Sequence, residues 1–472
     1  MTRTHIWWIR RDIRLQDNQA LEAARQGADH LVPLFIIEPD LMNAAAPKRR
    51  AFLLGALTDL DHQLKALGSR LIVRRGPAQT ALPALTAELD GAAIFAHEDF
   101  SPYARRRDWA ISEQADLTLT PSVVLQHPET IRKEDGDPYI VFTPFKKSWY
   151  QQPLPTPADC NPAPDTLPPL PAKIESIDLP TSDDPVDHFP ASTKEALRRL
   201  TDFTSGDIQR YRSQRNRLDL DGTSRLSPYL RFGLVSAREA FAHANISMLQ
   251  AKSDNARDEV RTWLDELVWR EFYTAILYQF PDVLQHPFRQ DYEHISWRQA
   301  PDDLAAWQNG QTGYPIVDAC MRQLLETGWM HNRGRMIVAS FLTKDLLINW
   351  QEGEAWFMDN LVDGDPASNN GGWQWTAGTG TDAAPYFRIF NPIIQSQKFD
   401  PDGEFIARWV PELADLPTPY RHQPWDMTDK EAQEYGFKIG RDYPDPIVDH
   451  SFARERTLAA YKTARERAES EE

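Results

Sequence analysis

At 472 residues, with 41% hydrophobic and 26% charged side chains, the chain has the make-up of a water-soluble protein of two or three globular domains. Its 52 basic residues stand against 69 acidic ones, a formal net charge of -17 that opposes non-specific binding of a polyanion, so any nucleic-acid surface must concentrate arginines on one face. No apolar run approaches the roughly 20 residues of a membrane span, and the start MTRTHIWWIRRD has too short an apolar stretch for a secretory signal.

Cys160 and Cys320, the only cysteines, build neither a disulfide framework nor a four-cysteine metal cluster. The expectation is a cytoplasmic protein whose cofactor, if it has one, is organic.

Four short apolar runs, at residues 5–10 (HIWWIR), 31–37 (LVPLFII), 70–73 and 92–96 (AAIFA), predict strands. Between them residues 49–67 carry apolar side chains at helical spacing and end at Gly68, a C-cap signal. Strands alternating with helices predict βαβ units and a parallel, Rossmann-like sheet, although no G-x-G-x-x-G follows the first strand. Arg10-Arg11-Asp12-Ile13-Arg14 follows that strand, where open sheets bind ligands; a solvated, salt-bridged loop explains the same charges. The run from Asp99 to Asp108 has the same two readings.

From 152 to 190 prolines crowd the chain (QQPLPTPADCNPAPDTLPPLPAK and on to DLPTSDDPVDHFP), which excludes regular helix and central strand. The predicted organisation is an α/β domain over 1–130, an extended connector over 131–192 and an all-α domain over 193–472. Helical spacing marks 193–203, 236–244, 256–278, 316–326, 333–350 and 353–361 in the last part.

Three stretches there carry chemistry. Gly222 to Pro228 (GTSRLSP) offers hydroxyls, an arginine and backbone N–H groups to a phosphate, or simply caps a helix. WLDELVWREFY places Glu266, Trp269, Arg270 and Tyr273 on one helical face, where a carboxylate beside tryptophan asks for a polar partner. Between Gly328 and Arg388, Trp329, Trp350, Trp373 and Trp375 are interleaved with Asn332, Arg333, Arg335, Asp363, Asp365 and Asn369. Asp363 to Pro366 followed by Asn369 to Gly372 reads as a turn or a helix-entry region. Apolar aromatic walls beside fixed carboxylates and amides suit a large planar ligand with a polar edge.

WIRRDIRLQDNQAL, DGTSRLSPYLRFG, WLDELVWREFY, TGYPIVDACMRQLLETGWMHNRGRM, DLLINW and DGDPASNNGGWQWTAGTGTDAAPYFRIFNP together resemble the photolyase/cryptochrome family, in one order from the first strand to about residue 410. Among its members the chain is most similar to the class I cyclobutane pyrimidine dimer photolyases. The resemblance implies an α/β antenna domain and a helical, FAD-binding domain that repairs DNA by electron transfer from excited reduced FAD to a flipped-out dimer. It implies flavin contacts at Tyr211, Thr223, Ser224, Arg225, Leu226, Ser227, Trp263, Arg270, Asn332, Arg335, Asp363, Asp365 and Asn369, with Arg335 paired to Asp363 and Asn369 facing flavin N5.

The same resemblance implies dimer and DNA contacts at Arg215, Glu266, Trp269, Tyr273, Asn332, Arg333, Met336 and Gln395. Glu266 would hydrogen-bond a thymine carbonyl, Trp269 would stack on the dimer and Met336 would wall its other side. Trp373, Trp350 and Trp297 match the family's electron chain to the surface. A second, antenna chromophore is implied, with Arg49, Asp99 and Tyr103 resembling deazaflavin-binding members more than those that bind methenyltetrahydrofolate. A blue-light receptor of the cryptochrome type is the alternative. Plant-type cryptochromes place an aspartate where this chain has Asn369, and a short charged helix (SFARERTLAAYKTARERAESEE) follows the helical domain rather than a long tail. The (6-4) enzymes carry further histidines around His331, where this chain has Asn332 and Met336. A monomer acting on damaged DNA, without a membrane partner or a metal, is the expectation.

Overall fold

The structure, a computed structural model, describes residues 2–121, 124–182, 184 and 187–471. Its chain divides into two compact units, Met1–Arg212 with Thr223–Pro281 and Val362–Ala367, and Ser213–Gly222 with Asp282–Leu361 and Ser368–Glu472. These units cut the chain at points other than 131 and 193. No helix among the described residues is long and apolar enough to cross a membrane.

The first unit holds β1 (Thr4–Trp8), β2 (His30–Ile37), β3 (Ile72–Arg75), β4 (Ala93–His97) and β5 (Leu117–Thr120). They form one all-parallel sheet in the order β3-β2-β1-β4-β5, with Ile6 opposite both Val32 and Ile94. A parallel sheet needs apolar cover, and Ile6, Trp8, Val32, Leu34, Ile72, Leu82, Leu85 and Ile94 form that core. Helix α1 (Pro47–Ala66) ends as expected, with Gly68 in the left-handed region at φ +74° and its N–H on the Lys65 carbonyl. Strand β5 was not anticipated. Its four residues, LTLT, lie at the sheet edge with Leu119 exposed, too short for a periodic signal.

The strand order reverses between β1 and β4, and the charged loop after β1 lies there. It is salt-bridged but not solvated. Arg10 donates to Asp108 at 2.7 Å and lies over the Trp8 ring, while Arg14 donates to the Gly233 carbonyl at 2.9 Å. Gly233 has φ +69°, and a Cβ there would stand 2.0 Å from the Arg11 carbonyl oxygen, so only glycine lets the two backbones meet.

Residues 152–190 lack regular structure apart from a 3-10 turn at Pro157–Asp159, with Asp183, Pro185 and Val186 outside the described residues. The expectation of an extended connector over 131–192 needs correction, because α2 (Phe142–Trp149) lies within it and buries Phe142, Phe145 and Trp149 on one face. Those side chains recur at i, i+3 and i+7, the spacing of a packed helix. Its partner is α3 (Asp254–Gln279), started by the Ser253 hydroxyl, which accepts from the Ala256 N–H. Val260, Trp263, Leu264, Leu267, Val268, Phe272 and Ile276 form the buried stripe of α3.

The second unit contains α4 (Pro315–Thr327), α5 (Asn332–Ser340), α6 (Trp350–Asn360), most of α7 (Pro366–Ala377), α8 (Pro392–Phe399) and α9 (His450–Glu471). One expectation is corrected here. The helix expected over 333–350 stops early: α5 passes into a π turn at Phe341–Asp345, Leu347 takes φ +52°, and the Asn349 side chain caps α6. Of the two readings of Asp363 to Gly372, a turn or a helix entry, the structure has the entry: the turn ends at Asp365, whose carboxylate accepts the Ala367 N–H at 3.1 Å, and Asn369 to Gly372 lie inside α7. Helix α9 docks on the π turn, where His450 meets the buried Asp345 carboxylate at 2.6 Å.

Candidate active site

In the first unit the phosphate-type segment and the aromatic residues converge. Tyr211 and Trp263 both pack on Phe203, at ring distances of 6.0 and 5.5 Å, and Trp263 Nε1 donates to the Ser224 hydroxyl at 3.4 Å. Thr223 to Leu226 form an irregular segment in which Arg225 takes φ +48°, Leu226 is buried, and Ser227 opens a short helix. Tyr211, Ser224 and Trp263 are thus brought together.

Glu266, Trp269, Arg270 and Tyr273 are all half-buried on α3. The Trp269 ring lies parallel to Phe142 of α2 at 3.5 Å, so one face of the indole is covered by a protein ring. A face-to-face contact of this kind holds the ring in place. Phe142 is a site residue that the motifs did not indicate. Glu271 of this helix is more deeply buried than Glu266, and accepts from the Leu125 and Gln126 N–H groups and from Trp149 Nε1. Burial pushes its carboxyl up to about 7, against the pull of these donors.

Asp363 is buried at the turn before α7. Asp365 accepts from Arg11 Nη2 at 2.7 Å and lies 3.9 Å from Arg231, and Arg11 also faces Asp99 at 3.6 Å. Asp365 therefore anchors the loop after β1, a role that its motif did not indicate. Asp99 is committed as well: burial raises its carboxyl, but Arg11 and the Ser101 N–H outweigh that and hold it well below the carboxylate range. A cleft of about 600 Å³ is lined by Glu98, Asp99, Pro102, Arg105, Trp109 and Pro281, with Trp109 67% exposed; Arg49 is buried on α1, outside that lining.

In the second unit the His331 ring caps α5, with Nδ1 accepting from the Arg333 N–H at 3.1 Å. The same helix carries Asn332, exposed, and Arg333, Arg335 and Met336, half-buried. Arg335 Nε donates to the Met330 carbonyl at 2.9 Å. Asn216 accepts two bonds from the Arg333 guanidinium, at 3.2 and 2.7 Å, and that group covers the Phe399 ring at 4.4 Å. Burial and the nearby Arg215 charge lower the Arg333 pKa to about 10. Gln395 is half-buried on α8.

Trp373 and Trp350 belong to one buried core, at 2% and 3% exposure, and half-buried Trp297 packs against that core. The three indoles thus run from buried to partly exposed. Trp373 lies flat on α6: a Cβ at Gly353 would stand 2.0 Å from its Cη2. Asn369 Nδ2 donates to the Glu354 carbonyl at 3.0 Å, and Asn370 Nδ2 donates to Glu354 Oε1 at 3.1 Å. Burial pushes the Glu354 carboxyl up to about 7.

Comparison with known proteins agrees with this arrangement. Residues 5–165 match the family described as DNA photolyase, and 263–463 match the FAD binding domain of DNA photolyase. Relatives named deoxyribodipyrimidine photo-lyase include one from a Synechococcus species, 41% identical over 97% of this chain and 96% of its own length. Another, from Escherichia coli, is 40% identical over 98% of this chain and 99% of its own. Among solved structures, a bacterial class III photolyase from Agrobacterium tumefaciens superposes with a TM-score of 0.92 at 36% identity, covering 99% of this chain and 98% of that one. A Synechocystis cryptochrome superposes with a TM-score of 0.88 at 30% identity, covering 98% of this chain and 99% of that one. The chain belongs to the DNA photolyase family.

Proposed function

We propose that the chain is a light-dependent DNA repair enzyme that splits cyclobutane pyrimidine dimers. The observation that carries this reading is the α3 face on which Trp269, backed by Phe142, lies beside Glu266 and Tyr273. A stacked indole with one covered face offers the other to a planar base. Only an extruded base reaches such a surface, and a damaged, poorly stacked pair is cheaper to extrude than a normal one.

FAD is the cofactor, and the chain's own groups fit it. Asn369 has its amide nitrogen engaged by Glu354, which leaves its carbonyl oxygen for a ligand N–H. The Ser224 hydroxyl bonded to Trp263 sits in a segment suited to phosphate. When bound and photoexcited, the reduced flavin supplies one electron to the dimer and recovers it after the ring opens. We assign to flavin binding Tyr211, Thr223, Ser224, Arg225, Leu226, Ser227, Trp263, Arg270, Asn332, Arg335, Asp363, Asp365 and Asn369.

The protein's part is position and electrostatics. Glu266 hydrogen-bonds a thymine carbonyl and steadies the charge that appears there. Met336 closes the other side of the dimer. Arg215, Arg333, Asn332 and Gln395 hold the strand beside it, with Asn216 fixing the Arg333 fork. Trp373, Trp350 and Trp297 carry an electron inward from the surface to restore the reduced cofactor. The cleft at Asp99 and Trp109 takes a second, light-gathering chromophore, for which a deazaflavin is favoured over methenyltetrahydrofolate. The enzyme acts as a cytoplasmic monomer.

Glu266→Ala tests the reading: FAD content stays native while repair yield per absorbed photon falls roughly threefold to tenfold, the range of one hydrogen bond. Glu266→Gln, whose amide donates at any pH, retains most of the yield. An unchanged yield in Glu266→Ala removes the proposed role.

A further inference from the structure

Two pairs of residues, each spaced by one helical turn, face each other across α2 and α3: Phe142 and Lys146 on the first, Trp269 and Asp265 on the second. Phe142 meets Trp269 ring to ring at 3.5 Å and 8°, and Lys146 Nζ donates to Asp265 at 2.7 Å. The same ammonium stands 5.5 Å from the Phe142 ring centroid. The second oxygen of Asp265 accepts from the Tyr150 hydroxyl at 3.1 Å, and Arg261 covers the Tyr150 ring. Helix α2 has only eight residues and no side-chain cap at its start, so its place depends on what it packs against. Phe145, packed on Phe272, and Trp149, bonded to Glu271, fasten it from the buried side. Lys146 and Tyr150 fasten it from the half-buried side, both to Asp265.

We infer that Asp265 is a positioning residue for recognition of the damaged base: by holding Lys146 and Tyr150 it sets the register of α2 on α3 and keeps Phe142 flat against Trp269. This rests on the reading that Trp269 stacks on the flipped-out dimer. A face-to-face ring pair gains less from its own quadrupoles than an offset or edge-on pair, so the contact needs a fastening outside itself. An indole backed on one face keeps the other turned to the ligand. Without the backing it has more freedom to lose when the base arrives, and binding weakens. The carboxylate does this against its own charge. Beside a DNA-binding face it repels phosphate, so its removal would tighten binding if charge were all that it contributed. For the dimer the register outweighs the charge; for undamaged DNA, which offers no extruded base, only the charge counts.

The test is fluorescence anisotropy of the purified holoprotein with matched DNA strands, one carrying a cyclobutane thymine dimer and one undamaged. FAD content and thermal unfolding are recorded alongside. Asp265→Ala weakens binding of the dimer strand by roughly twofold to fivefold, less than loss of the Phe142 ring itself. Undamaged DNA binds as tightly as before, or more tightly. Asp265→Glu, which keeps both acceptor oxygens, recovers most of the loss. In the double variant D265A/F142A the dimer strand is bound no more weakly than in Phe142→Ala alone. If Asp265→Ala unfolds or loses flavin, Tyr150→Phe, which removes one of the two bonds, carries the same prediction at smaller size. Native dimer binding in Phe142→Ala refutes the stacking face on which this inference rests. Weakened binding there with native or tighter dimer binding in Asp265→Ala, or losses that add in the double variant, overturns the role of Asp265. Equal weakening of damaged and undamaged strands in Asp265→Ala overturns it as well, since that marks a general loss of structure.

Discussion

Arg11 donates to Asp365 at 2.7 Å across 354 residues of sequence, with the two side chains 17% and 15% exposed. The pair ties the loop after β1 to the turn that starts α7, and Asp99 shares the same guanidinium. Removing the cation leaves two carboxylates facing each other in a poorly solvated place. Arg11→Met is expected to destabilise the protein by about 3 kcal/mol, the lower end for breaking a buried pair. Arg11→Met/Asp365→Asn recovers part of that loss. Urea unfolding of both variants checks the order.

Phe142 supports Trp269 as a parallel ring at 3.5 Å. Phe142→Ala removes the stack without touching Glu266, so binding of dimer-containing DNA should weaken about threefold to tenfold, in line with the 0.5–1.5 kcal/mol of an aromatic pair. Binding of undamaged DNA should barely change. Fluorescence anisotropy with matched damaged and undamaged strands reads both.

Glu271 gives the protein a pH signature. Its folded-state pKa is raised to about 7 from an ordinary 4.5, so the folded protein keeps a proton that the unfolded chain has released. That preference stabilises the fold at acid pH and is lost as pH rises through about 7. The native protein should therefore lose stability relative to Glu271→Gln between pH 4.5 and 7, by roughly 3 kcal/mol for a shift of this size. The variant should be the weaker protein at pH 5, since its amide nitrogen meets donors. Denaturation of both proteins across that range measures the difference, and parallel curves would contradict it.

Much of this was legible in the sequence. The apolar runs placed β1, β2 and β4 within two residues, and the spacing in 256–278 marked α3 because its buried stripe is apolar apart from Glu259 and Glu271. The motif order identified the family, and the helix with Glu266 and Trp269 lies where that pattern puts it. What stayed hidden depends on partners distant in the chain. Nothing near Glu271 distinguishes it from Glu266, because its donors Leu125, Gln126 and Trp149 lie 122 or more residues away. Helix α2 is eight residues long and sits among prolines, so its apolar face was absorbed into the connector. The break after α5 follows from a π turn and a left-handed leucine, which no propensity favours.

Gly353 bears directly on Trp373. A methyl group there would occupy the indole's place, 2.0 Å from Cη2. Gly353→Ala should cost about 1–3 kcal/mol through overpacking and displace the ring. Photoreduction of the oxidised holoprotein should slow with it, as it should more completely in Trp373→Phe, while repair by chemically reduced enzyme survives in both. Flash photolysis and steady-state repair separate the two effects.

Repair itself is the most direct measurement. Chemically reduced holoprotein is mixed with DNA containing cyclobutane thymine dimers and exposed to near-ultraviolet or blue light, while the returning thymine absorbance is followed. The account predicts recovery in the light, none in the dark, and a reduced yield in Glu266→Ala. Dimers that stay intact under illumination, with FAD bound and photoreducible, would contradict it and leave a light receptor as the better description.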